Sequence, residues 1–452
     1  MERDRTEPNI LLESLVEEAG VSRAGLAGHV NRAGQARGLR LRYEHTAVSR
    51  WLKGQRPRGE VPDLICEVLG RRLGRPVALD DIGMGAAGAP AVPSPGTPLA
   101  GFVERATALW RADGQHSPRL TGVPAVTGTE AVMPVWEWEN PPEDRDVSRP
   151  GPSRIGPADL EILRAARNHY EHLYRKAGGI ATRGRVVGFL NAGAAPLLHA
   201  GHDDATGRRL HRATAGLVAL AGICAYDSDA HGLAQRYFHQ ALRLAKSSGD
   251  RALGGYVIAL LVNQSLHLGE LRRAVAFAEA AIRAAGHRIT PALAADLHAM
   301  QAKAYARLGD DWSARERIGR AETLAARILP GAEPEETAYV QPGLVDVQVA
   351  EALLGLGDLK AAREHAALAV CAPAHDRGRV HRLAMLTQVE LRLGEPDRAA
   401  RTATEMAESA RGVESRRLRE RMGAVRDDLA ASKSTEAARA AEVIAGALRV
   451  PL

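Results

Sequence analysis

Apolar residues recur at helical spacing along most of this chain, and the breaks in that pattern sort it into segments. In "NILLESLVEEAG", Leu11, Leu12, Leu15 and Val16 share one face, with Asn9 placed to cap the helix and Gly20 to end it. Ser22 caps "SRAGLAGHVN", whose inward face is Leu26, Ala27 and Val30. A third helix is predicted from about Glu44 to Lys53 with Gly54 at its stop. A fourth runs from Pro62 through Leu64, Ile65, Val68 and Leu69 to Gly74. Residues 1–84 therefore form a small helical unit.

Between residues 85 and 157 the periodicity breaks, because 12 of the chain's 24 prolines fall there. "LAGFVERATALW" keeps helical spacing at Phe102, Val103, Ala106 and Trp110, while "AVMPVWEWEN" alternates like a short strand or extended arm. Trp110, Trp136 and Trp138 are apolar anchors that a disordered tether rarely carries, so an ordered, irregular connector is expected.

From about residue 158 the chain is helical to its end, and here it repeats. Five segments stack on Asp229, Gly269, Gly309, Gly357 and Gly394, at intervals of 40, 40, 48 and 37 residues. Five positions on, each has alanine: Ala234, Ala274, Ala314, Ala362 and Ala399. Twelve positions on come Ala241, Ala281, Ala321 and Ala369, with Met406 as the exception. Glycine ends one helix in a left-handed turn, the acid of "LGD" or "LGE" caps the next, and small alanines let the two helices of a hairpin approach closely. Over about residues 210 to 410 this resembles the tetratricopeptide repeat, although the spacing is longer than that family's 34 residues and the early Trp and terminal Pro are missing. The fold that follows is all-α, with a repeat solenoid of antiparallel helix pairs over residues 158–415 and charged capping helices over 416–452, beginning "RRLRERMG".

Composition adds one decisive fact. The net charge is +6, yet residues 32 to 58 alone carry Arg32, Arg37, Arg40, Arg42, Arg50, Lys53, Arg56 and Arg58 against the single acid Glu44. That window holds +7, so the remaining 425 residues sum to −1. A polyanionic partner for this window is the physical expectation. On the third helix, Val48, Trp51 and Leu52 face inward, and Thr46, Ser49, Arg50 and Lys53 fall on the opposite face.

"SRAGLAGHVN … HTAVSRWLKGQRP" resembles the helix-turn-helix of phage-repressor-like regulators. That resemblance implies base contacts from His45, Thr46, Ser49 and Arg50, and backbone contacts from Lys53, Arg56 and Arg58. Arg40, Arg42 and Tyr43 adjoin the helix and join the candidates. Residues 33 to 42 replace the family's short turn, and are expected to lengthen a helix or form a basic wing. A solvated face on a protein-binding module is the competing reading of the patch, with RNA a third.

Other chemistry is poorly signalled. Cys66, Cys224 and Cys371 lie far apart and are expected as buried apolar groups in a reducing compartment. "GMGAAG" leads into prolines and not into a helix, so its GxGxxG match carries no nucleotide. "HAGHDD", with His199, His202, Asp203 and Asp204, reads as a polar helix end and not as a metal site. No cofactor, metal or catalytic residue is expected, although an unrecognised enzymatic site within residues 158 to 230 stays open. The N-terminus does not resemble a secretory signal, and the longest uncharged helical run, residues 213 to 226, is short of the roughly 20 needed to cross a bilayer. A cytoplasmic protein with no membrane partner is expected.

The order of helix-turn-helix, connector and repeats is similar to large transcriptional regulators of actinomycetes, and the use of 54 Arg against 6 Lys suits a GC-rich genome. The resemblance implies a regulator of double-stranded DNA whose repeats sense a peptide, protein or small effector, dimerise, or do both. Tyr226, Tyr237, Tyr256, Asn263 and Tyr305 are the candidates for lining the repeat groove. The alternative is an adaptor that binds an acidic protein through its basic helix and never touches DNA.

Overall fold

The computed structural model describes residues 8–74, 77, 79, 81–84, 98–117, 120, 122–140, 142–152, 154–329, 331–340 and 343–449. It is all-helical: among the described residues the only β pairing is two isolated bridges, Arg149 to His202 and Arg154 to Gly201. The chain divides into two compact units, Met1–Leu120 and Thr121–Leu452. The division falls inside the segment expected to be a connector, and residues 85–88 of "GMGAAG" lie outside the described ones.

The first unit holds α1 (Ile10–Glu18), α2 (Arg23–Ala36), α3 (His45–Leu52), α4 (Val61–Leu73) and α5 (Leu99–Gly114). The Asn9 side chain accepts from Leu12 N at 3.1 Å, and Ser22 caps α2 through Gly25 N. One core gathers Leu12, Leu15, Leu26, Val30, Val48, Trp51, Leu64, Ile65 and Leu69.

The insertion before α3 has a definite form. Its first residues lengthen α2 to Ala36, and the rest folds back as an irregular linker. Leu41 lies so close over Gly34 that a β-carbon there would collide with it. Asn31 then fixes the linker's end: its Oδ1 accepts from Tyr43 N at 2.9 Å, and its Nδ2 donates to Tyr43 O at 2.9 Å.

In the second unit, α6 (Gly128–Glu139) replaces the expected strand or extended arm of residues 131 to 140. Ala131, Val135 and Trp138 are buried at i, i+4 and i+7, and this helical stripe overrides the alternation, with Pro134 tolerated inside. The segment is pinned at two points: Val126 exchanges both backbone hydrogen bonds with the Gln235 side chain, and Asp144 takes both terminal nitrogens of Arg243. Trp138 lies against Gly254, where any β-carbon would strike its indole.

There follow α7 (Pro157–Ala177), α8 (Gly179–Phe189), a π-helical turn (Leu190–Ala194) and α9 (Ala195–His199). Six hairpins complete the unit: α10 (Asp204–Asp227) with α11 (His231–Ser248), α12 (Arg251–His267) with α13 (Leu271–Ala285), α14 (Pro291–Leu308) with α15 (Asp311–Ala325), α16 (Leu344–Leu356) with α17 (Leu359–Cys371), α18 (Asp376–Arg392) with α19 (Pro396–Ser409), and α20 (Arg416–Ala430) with α21 (Thr435–Arg449). Gly269, Gly309, Gly357 and Gly394 all turn at positive φ, and Asp229 does the same at +65° without glycine's freedom. Ala234, Ala274, Ala314, Ala362 and Ala399 are wholly buried, as are Ala241, Ala281, Ala321, Ala369 and Met406. The result is a solenoid-like stack whose hairpins touch through their smallest residues. Among the described residues, no helix is long and apolar enough to cross a membrane.

Candidate functional site

The expected basic face is present on the first unit. Burial of Ala47, Val48, Trp51 and Leu52 fixes the roll of α3 and turns His45, Thr46 and Arg50 to solvent, followed by Lys53. Arg40, Arg42, Arg56 and Arg58 are exposed on either side. Among the described residues no ion pair involves Arg40, Arg42, Arg50, Lys53 or Arg58, whereas Arg37 is drawn to Glu67 and Glu60. Two candidates do other work. Ser49 donates to the His45 carbonyl at 3.0 Å, and Tyr43 packs edge-on against Trp51 with ring centroids 5.1 Å apart. Ser49 supports α3 from within, and Tyr43 from the linker before it.

The second unit contains a feature that residue spacing did not indicate. The first helices of the six hairpins face a cavity of about 400 Å³, and α7 supplies the remaining wall. The stack closes because α7 packs on both α10 and α18. Asp227, wholly buried at the end of α10, fastens this closure. It accepts from Gly179 N at 2.8 Å, from Ser415 Oγ at 2.8 Å, and from Arg377 Nη2 and Nε at 2.5 and 3.2 Å. Beside it, Glu414 N donates to the Ala177 carbonyl at 2.8 Å.

Of the groove candidates, Tyr226, Tyr256 and Asn263 line this cavity. Tyr237 does not, since it is wholly buried in the core, and Tyr305 is half-buried against the core of α14 to α18. The cavity also draws on residues the sequence reading had assigned elsewhere. Arg417 and Arg421 belong to the supposed capping helix, and Tyr339 to the stretch between α15 and α16.

Seven cationic side chains and three carboxylates line the cavity. Glu171 sits between Arg167 and Arg175 at 2.6 and 2.5 Å, and Glu351 between Lys303 at 3.0 Å and Arg421 at 3.9 Å. Asp296 accepts from the Tyr339 hydroxyl and from Gln348, and burial raises its pKa despite those donors. Arg417 instead stacks over the Tyr226 ring, 3.9 Å from its centroid, and its Nε has no hydrogen-bond partner. Burial, and then the charge of Arg417, push the His267 pKa down to about 4; burial, Arg175 and Arg377 bring His375 to about 4. Both are neutral at physiological pH.

Asp229, His231 and His267 bring one ligand atom each within 4.8 Å of one another at the cavity rim, a set able to hold a metal ion. Asp229 Oδ1 and His231 Nε2 are 2.8 Å apart. The histidines come from different hairpins, so no local motif announces them. At "HAGHDD", by contrast, Asp203 caps α10 through Thr206 N at 2.7 Å, Asp204 binds Arg208 and Val147 N, and the His202 nitrogens lie near two backbone carbonyls.

Residues 12–85 match a family model described as the SP15 N-terminal domain, a stretch that holds most of α1 and all of α2 to α4. No curated protein matches the chain.

Proposed function

We propose that this protein is a DNA-binding transcriptional regulator. Its first unit engages duplex DNA through a helix-turn-helix of α2 and α3, and its repeat unit senses an effector. The observation that carries this reading is the exposed basic run of Arg40, Arg42, Arg50, Lys53 and Arg58, which lacks acidic partners among the described residues and flanks a helix whose roll is fixed by buried Trp51 and Val48. A solvated surface normally intersperses both signs of charge, and this one concentrates a single sign around an eight-residue helix. In this reading Arg50 meets base edges, and Arg40, Arg42, Lys53 and Arg58 meet phosphates, which set affinity and register without reading sequence.

The test is selection of bound fragments from a random duplex pool by the full chain, followed by salt titration on the enriched site. Affinity should fall steeply with salt, and Arg50→Ala with Lys53→Ala should lower it by at least about a hundredfold, the loss of two charge-bearing contacts. Unchanged affinity in that variant, or no enriched sequence, overturns the reading in favour of an adaptor that docks an acidic protein. A palindromic site would indicate a dimer on DNA, since half-site symmetry mirrors protein symmetry.

A further inference from the structure

We propose that the cavity of the repeat unit binds a small aromatic anion, with its charged group at Arg417 and its ring among Tyr256, Tyr339 and Met300. The proposal names the effector class for the regulator reading, and rests on that reading only for its consequence, not for binding.

Three observations select this occupant. The first is size. At about 400 Å³ the cavity lies at the low end of small-molecule sites, and α7, packed on both α10 and α18, adds a wall to the one the hairpins present. A free metabolite fits such an enclosure better than a peptide does.

The second is charge. Each lining carboxylate already has its partners: Glu171 the two arginines of α7, Glu351 Lys303 and Arg421, and Asp296 a phenol and an amide. Arg377 is taken by Asp227. No carboxylate among the described residues pairs with Arg417, which keeps an unpartnered buried Nε while its guanidinium lies flat on Tyr226. An arginine held this way is pre-oriented, and its free N–H groups match the paired oxygens of a carboxylate or phosphate. Arg421, one turn along α20, adds a second cation to the same wall. His381, whose Nδ1 lies 2.7 Å from Arg421 Nη1, holds that second cation in place.

The third is the apolar part of the lining. Leu220, Ile223, Leu260 and Met300 supply it together with Tyr256 and Tyr339, whose rings stand 5.9 Å apart and tilted by 51°. Rings at that separation offer an edge and a face to a planar guest, and the thioether adapts to its rim.

The experiment uses the full chain and two fluorescent probes of nearly the same shape: 8-anilinonaphthalene-1-sulfonate, which is anionic, and N-phenyl-1-naphthylamine, which is neutral. One anionic probe should bind per chain and be displaced by benzoate or phenyl phosphate, but not by benzamide. Arg417→Gln should weaken the anionic probe by about tenfold or more while changing the neutral probe by less than about twofold, as expected for loss of one charge-assisted pair. Leu260→Trp, which fills the cavity, should remove both probes. Melting curves confirm that each variant folds, and Arg417→Lys, which keeps the charge, should bind the anionic probe better than Arg417→Gln.

Equal anionic-probe binding by wild type and Arg417→Gln overturns the proposal. So does an equal loss of both probes in Arg417→Gln, or retention of both in Leu260→Trp. Because binding is read without DNA, the two readings fail separately. Probe binding with no DNA binding removes only the regulator, and DNA binding with no probe binding removes only the ligand class.

Discussion

Arg377 and Asp227, 150 positions apart in the chain, meet in an ion pair whose carboxylate is wholly buried. Arg377 lies in the first turn of α18 and Asp227 ends α10, so the pair joins the first hairpin of the stack to the fifth. The Tyr174 ring of α7 packs beside the pair, 5.1 Å from the guanidinium.

Removing one member of such a pair costs more than the pair contributes, because the other charge is left buried and uncompensated. Asp227→Asn should therefore lower the unfolding free energy of the repeat unit by about 3–5 kcal/mol. Adding Arg377→Met should recover part of that loss. Urea denaturation followed by circular dichroism measures both, and a single variant within about 1 kcal/mol of wild type would show that the pair is not what fastens the stack.

Asn31 presents no charge to a partner, yet it holds both backbone groups of Tyr43 and with them the linker that carries Arg40 and Arg42. Asn31→Ala should destabilise the first unit by about 1–2 kcal/mol. It should also weaken DNA binding while leaving Arg50 and Lys53 in place. Amide exchange of residues 37 to 44 alongside the DNA titration is the check: affinity kept with exchange accelerated would show that the linker's arginines do not contribute.

Histidine burial sets a direction for pH. Neither ring nitrogen of His239 has a hydrogen-bond partner, and burial, with Arg236 and Arg273 nearby, pushes its pKa down to about 3. The unfolded chain takes up this proton near pH 6.5, whereas the folded chain stays neutral until about pH 3. Stability is therefore intact above pH 6.5 and is lost as pH falls toward 3. From pH 7 to 5 this group alone costs about 2 kcal/mol. His211, His298 and His375, all held near 4, add to the slope in the same direction. His239→Leu should flatten the dependence over that window, measured by urea midpoints; an unaltered slope would mean that His239 is already protonated in the folded chain.

The repeating turns were legible because helix termination leaves a local signature, and even Asp229 revealed itself by standing where the other repeats place glycine. The inward face of α3 was legible for the same reason: Val48, Trp51 and Leu52 obey one period. The cavity was not, because its parts come from helices far apart in sequence. Arg417 and Arg421 look like any solvated pair on a charged helix until α20 is placed against α18. The 48-residue interval was the one hint of Tyr339, since the excess length is the stretch that carries its ring to the cavity. Asp227 had no signal at all; its neighbours in "CAYDSDA" do not distinguish it from a helix-ending acid. In α6 the misleading element was aromatic alternation at Trp136 and Trp138, where one ring is exposed and the other buried on a helix.

The clasp at Asp227 changes how the repeat unit can move. An open stack of hairpins behaves as a spring, adjusting its curvature through many small rotations and fraying from either end. Fastened from α10 to α18 and to the start of α20, this one behaves as a hoop. Its bore cannot widen by degrees, so whatever enters must fit the closed form or release the fastening outright.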